Sequence, residues 1–225
     1  MTKPDGEPSH ATADSGAALG VAQSSERSRQ IVDAAYHLLD ESGLEGLTIR
    51  AVLKRTGLSR RALYERFAGK DDLVLAVFAQ TIQLAAEHYR TMVAEIADPM
   101  ERLRLVMSSI VLGQSDLAEE KADWSDRRGA AMSREHLRLA ESRPHELQAT
   151  LSPLIGLIEQ LLSDGMEAGC VRRAPADRLA MLVYNLVSTT THAELLAQES
   201  VQPDRERRLQ LAKDIWEFCE RAIAA

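Results

Sequence analysis

The chain has 225 residues, of which 45% are hydrophobic and only 4% aromatic. That is enough apolar material for a packed core, which excludes a disordered chain, and the dominance of Leu and Ala over β-branched and aromatic residues favours an all-α protein. The net charge of −7 argues against non-specific coating of nucleic acid, yet residues 48–70 hold seven basic side chains against one acid, so +6 is concentrated in one short stretch.

Met1 to about Ser25 is rich in Ser, Thr, Gly, Ala and Pro without an apolar period, and reads as a flexible arm over 1–25. From Glu26 a helical stripe begins: Ile31, Ala34, Ala35, Leu38 and Leu39 share one face, and Gly43 ends the segment. Thr48 is placed to cap a short second helix with Ile49, Val52 and Leu53 inward, and Gly57 to terminate it. Ser59 caps a third, from Arg60 to about Phe67, and a long helix begins after Gly69 with Asp71 and Asp72 in its first turn. Further helices are predicted over about Pro99 to Gln114, Trp124 to Ala140, Pro144 to Gly165, Pro175 to Gln198 and Pro203 to Ala222.

Two short helices joined by Thr56-Gly57-Leu58-Ser59 have the dimensions of a helix-turn-helix, whose second helix offers its N-terminal residues to the major groove. The string from Leu47 to Leu73, LTIRAVLKRTGLSRRALYERFAGKDDL, resembles the DNA-binding domain of the tetracycline-repressor (TetR) family. The resemblance is carried by Thr48, Gly57, Ser59, the Leu63-Tyr64 pair, Phe67, Lys70, the acids Asp71 and Asp72, and Leu73. It implies a three-helix reading domain over 26–70 and a larger helical domain for ligand binding and dimerisation over 71–225. It also implies a dimeric repressor that binds a palindromic double-stranded operator and is released by a small, largely apolar effector.

On that resemblance the DNA-binding residues are Thr48, Arg50, Ser59, Arg60, Arg61, Tyr64, Arg66 and Lys70. Thr48 and Lys70 sit at helix starts, where free amides and the dipole favour a phosphate. Arg60 and Arg61 open the recognition helix and suit guanine O6 and N7, while Arg50 and Arg66 are left between base and backbone contact. The candidate pocket lining is Phe78, Ile82, Met107, Ile110, Met132, His136, Leu139, Ile155, Ile158, Leu162 and Tyr184. The last two helices carry apolar arcs wider than one core requires, so the dimer interface is assigned to Leu179, Leu182, Val183, Leu186, Leu209, Ala212, Trp216 and Cys219.

Other chemistry finds little support. No Glu-x-x-His pair, phosphate loop, Gly-x-Ser-x-Gly or Cys-x-x-Cys is present, which argues against an enzyme and implies neither cofactor nor metal. A helical interaction module without DNA is the alternative, its basic face meeting an acidic partner or a membrane surface. No apolar run of membrane-spanning length and no signal peptide are found, so the expected location is the cytoplasm, where Cys170 and Cys219 are reduced or form a redox pair.

Overall fold

The computed structural model describes residues 11–113, 122–198 and 204–225. They form helices α1 (Ala11–Gly46), α2 (Ile49–Thr56), α3 (Arg60–Tyr64), α4 (Lys70–Val93), α5 (Pro99–Leu112), α6 (Ala122–Ser142), α7 (Pro144–Glu167), α8 (Ala176–Gln198) and α9 (Arg205–Ile223). Among the described residues there is no strand, only an isolated antiparallel bridge between Val171 and Ala224. None of these helices is long and apolar enough to cross a membrane.

The local signals act where the sequence places them. At the start of α2 the Thr48 hydroxyl accepts the Ala51 amide at 3.1 Å, and at the start of α3 the Ser59 hydroxyl accepts the Ala62 amide at 3.2 Å. Gly57 takes φ 69° and its amide donates to the Leu53 carbonyl, a left-handed cap that an L side chain would strain. Gly43, at φ 65°, breaks the helical path of α1. Two boundaries differ from expectation. α3 stops at Tyr64, three residues short of Phe67, although the Phe67 amide still reaches the Leu63 carbonyl at 3.0 Å. The helical backbone of α1 begins at Ala11, inside the segment read as an arm, because Ala13, Ala17, Ala18 and Ala22 carry high helix propensity that an apolar-period reading ignores. Residues 1–10 of that arm lie outside the described residues.

Two cores organise the helices. The first joins Ile31, Ala35 and Leu39 of α1 to Leu47, Val52, Leu63 and Phe67, and it draws Leu73, Val74 and Val77 from the first turns of α4, so α4 contributes to the smaller core as well as to the larger one. The second, larger core is built by α4 to α9, with α7 packed against α4, α5 and α8. Pro153 lies inside α7, and the Ala149 carbonyl that its missing amide would have bonded accepts the Ser152 hydroxyl at 2.8 Å instead. Met132 of α6 packs against both cores.

Candidate DNA interface and ligand cavity

The N-terminal ends of α2, α3 and α4 carry Thr48, Ser59 and Lys70. Thr48, Arg50, Ser59, Arg60, Arg61, Tyr64 and Lys70 are all exposed, Tyr64 by 50% despite its ring. An exposed aromatic among cations is what a phosphate-facing surface needs. Arg61 pairs with Glu65 one turn on at 2.9 Å, but its side chain is 89% exposed, and such an i,i+4 pair is weak enough to exchange for DNA. The Lys70 ammonium donates to the Leu44 carbonyl at 3.3 Å, which holds it beside the start of α4. Arg66 differs from expectation: its side chain is only 11% exposed, and the guanidinium donates to the Ala62 carbonyl at 2.7 Å, so it braces α3 instead of standing in the exposed row.

Ion pairs tie the start of α4 to α6 and α7. Arg138 of α6 lies 3.1 Å from Asp71, and Arg143, between α6 and α7, lies 2.6 Å from Asp72. The Ala68 amide, 2.8 Å from Asp72, and then Arg143 hold the Asp72 carboxyl below the usual carboxylate range.

A cavity of about 210 Å³ lies among α4 to α9. Of the residues expected to line it, Phe78, Ile82, Ile110, Met132, His136 and Tyr184 do so. Met107, Leu139, Ile158 and Leu162 are packed into the core, and Ile155 is half-buried against it; their apolar faces meet neighbouring helices, leaving no edge on the cavity. The sequence reading missed Thr81, Ala85, Tyr89, Val111, Leu112, Gly113, Ser133, Leu154, Ser188, Thr191, His192, Leu195 and Arg208. A signal for part of this set existed. Tyr184, Ser188, Thr191, His192 and Leu195 recur at helical spacing on α8, a polar stripe on a side that must face protein.

The His136 and His192 rings approach to 4.6 Å between centroids, and Phe78 lies 6.0 Å from His136. Burial pushes the pKa of His136 down; burial, and then the neighbouring His136, push that of His192 down to about 4. Both imidazoles are therefore neutral at pH 7. Burial raises the Tyr89 phenol to about 12 and the Tyr184 phenol further, so both stay protonated.

The predicted interface residues divide. Leu179, Val183, Ala212 and Cys219 turn inward into the chain's own core, because α7 and α5 cover that side of α8 and α9. Leu182 is 60% exposed and Leu209 40%, while Leu186 and Trp216 are half-buried. Phe218, not anticipated, is 65% exposed.

Residues 31–77 match the model of the bacterial regulatory proteins of the tetR family. The HTH-type transcriptional regulator BetI of Burkholderia cenocepacia is 33% identical over 84 residues, which cover 37% of this chain and 43% of that protein. The fatty acid metabolism regulator protein of Bacillus subtilis is 22% identical over 165 residues, covering 72% of this chain and 79% of that one. A TetR-family transcriptional regulator from Pectobacterium atrosepticum shares the fold with a TM-score of 0.69 at 17% identity, over 91% of this chain and 97% of that chain. These relatives are regulators and not enzymes. The helix-turn-helix with its exposed basic residues, the helical domain behind it and these matches lead to one conclusion: residues 31–77 are similar to the DNA-binding domain of tetR-family regulators, and the chain shares the fold of solved TetR-family proteins.

Proposed function

We propose that the protein is a cytoplasmic, dimeric repressor that holds a palindromic operator and is released when a small, largely apolar ligand fills the cavity. The observation that carries this reading is the reach of α4. One continuous helix bears Lys70 at the reading domain and Phe78, Ile82, Ala85 and Tyr89 on the cavity wall. At 1.5 Å per residue, Phe78 stands only about 12 Å from Lys70 along the axis. The Arg138 and Arg143 pairs fasten the same end of α4 to α6, which supplies Met132, Ser133 and His136 to the wall. A ligand that shifts α4 or α6 thereby changes how the reading head is held.

The exposed residues Leu182, Leu209 and Phe218, with the half-buried Leu186 and Trp216, supply an apolar face for a second copy, and two-fold pairing matches a palindrome. The test has two arms. Light scattering is expected to give a dimer that Leu182→Glu converts to monomer, since a side chain this exposed in the protomer tolerates charge there. Linkage requires that a ligand weakening operator binding tenfold, about 1.4 kcal/mol, be itself bound tenfold more weakly in the presence of operator. Equal ligand affinity with and without operator overturns the release mechanism, and failure to retain any specific palindromic fragment overturns the repressor reading.

A further inference from the structure

The cavity wall is two-sided. Phe78 and Ile82 on α4, Ile110 on α5 and Leu154 on α7 make one side apolar. The other side, from α6 and α8, carries the facing imidazoles of His136 and His192. Two polar atoms on that side, His136 Nδ1 and Thr191 Oγ1, are buried without a hydrogen-bond partner, and the Thr191 residue is only 7% exposed. Buried polar atoms in folded proteins almost always have partners, so an orphaned pair on a cavity wall marks where a ligand's polar atoms belong.

The charges say which polar atoms fit. Arg208 of α9 lines the cavity, and among the described lining residues there is no Asp or Glu. Tyr89 of α4 and Tyr184 of α8 are protonated phenols, and α5 and α7 contribute no titratable group to the wall. Glu135, beside His136 in α6, is engaged by Arg138 at 2.9 Å. A cation bound here would face two imidazoles and a guanidinium without a counter-charge from the described lining residues, which burial makes costly. An anion meets the opposite situation.

We propose that the effector is a small organic acid, a ring or short chain bearing one carboxylate, whose oxygens meet the polar edge of the His136–His192 pair beside Thr191 while its body lies against Phe78, Ile82, Ile110 and Leu154. This rests on the reading of the cavity as the effector site. Binding takes up one proton from solvent. In the empty cavity burial keeps both imidazoles neutral; a carboxylate at their edge, itself remaining ionised, favours one imidazolium, and the proton comes from the buffer.

The experiment is isothermal titration of the full chain with three probes of one size: benzoate, benzyl alcohol and benzyltrimethylammonium. It is run from pH 6 to pH 8 in buffers of unlike ionisation enthalpy. Benzoate is expected to bind tightest, with close to one proton taken up and Kd rising about tenfold per pH unit, the slope of a one-proton linkage. His136→Gln and His192→Gln, tested separately so that one misfolded variant leaves the other, are expected to weaken benzoate at least tenfold at pH 6 and flatten its pH dependence, and to weaken benzyl alcohol by less. If benzyl alcohol binds as tightly as benzoate without proton uptake, the acid assignment is wrong and the cavity reading stands. Tightest binding of the ammonium probe overturns the assignment by reversing the sign of the site. If no probe binds, the acid assignment and the cavity reading fall together.

Discussion

Burial of His192 makes stability depend on pH below the ordinary imidazole range. The imidazole has its ordinary pKa of 6.5 in the unfolded chain and about 4 in the fold, so the unfolded state binds the proton more readily and acid favours unfolding. The contribution is complete above pH 6.5 and is lost as pH falls toward 4. For a single site with these two constants, the loss is about 0.8 kcal/mol at pH 6, about 2 kcal/mol at pH 5 and about 3 kcal/mol at pH 4. His192→Gln removes the titrating group while keeping a polar side chain of similar reach. Its unfolding free energy is therefore expected to fall less than that of the parent between pH 7.5 and pH 5, by about 2 kcal/mol. Urea denaturation followed by circular dichroism measures this, at one protein concentration because association contributes to apparent stability. Carboxylates common to both proteins cancel in the difference. Parallel profiles for the two proteins over this range would show that the imidazole is solvated, and the argument from burial would fail.

Three further outcomes are expected. Leu63 is fully buried in the smaller core beneath the recognition helix, so Leu63→Ala is expected to cost about 2–5 kcal/mol and abolish operator binding, read by urea denaturation and gel shift. Gly57→Ala meets no neighbouring atom but forces alanine to φ 69°, so it is expected to cost about 1–2 kcal/mol in the same denaturation assay, with Gly57→Asn losing less. Lys70→Ala is expected to weaken every DNA fragment alike and lower the salt slope by about one per protomer; Arg60→Ala and Arg61→Ala are expected to cost about 1–3 kcal/mol on the correct operator and little on one already changed at the contacted base. A panel of single-base operator variants titrated at several salt concentrations separates these, and uniform losses for the arginine variants would make them phosphate contacts.

The reading domain was legible in sequence because its signals are short-range. The hydroxyls of Thr48 and Ser59 need only an amide three residues on, and Gly57 needs only its own left-handed turn, so each acts before any distant contact forms. Helical periodicity likewise placed α4 to α9 to within a few residues of their observed ends. Arg66 escaped this logic, since an arginine that donates to the carbonyl one turn earlier has the same local sequence as one that points to solvent.

Local pattern is silent where a property belongs to several helices at once. The broad apolar arcs on α8 and α9 announced more than one contact, yet nothing within either helix said that Leu179, Val183, Ala212 and Cys219 would meet the chain's own core while Leu182, Leu209 and Phe218 stayed outside. The cavity is the clearest case. A void is what remains where packing of α4 to α9 is incomplete, so its wall is fixed by how those helices lie together and by no segment alone. Composition and period determined that the chain would be helical with its basic charge concentrated over residues 48–70. Only the packing of α6 against α8 decided that His136 and His192, far apart in sequence, would share one buried site.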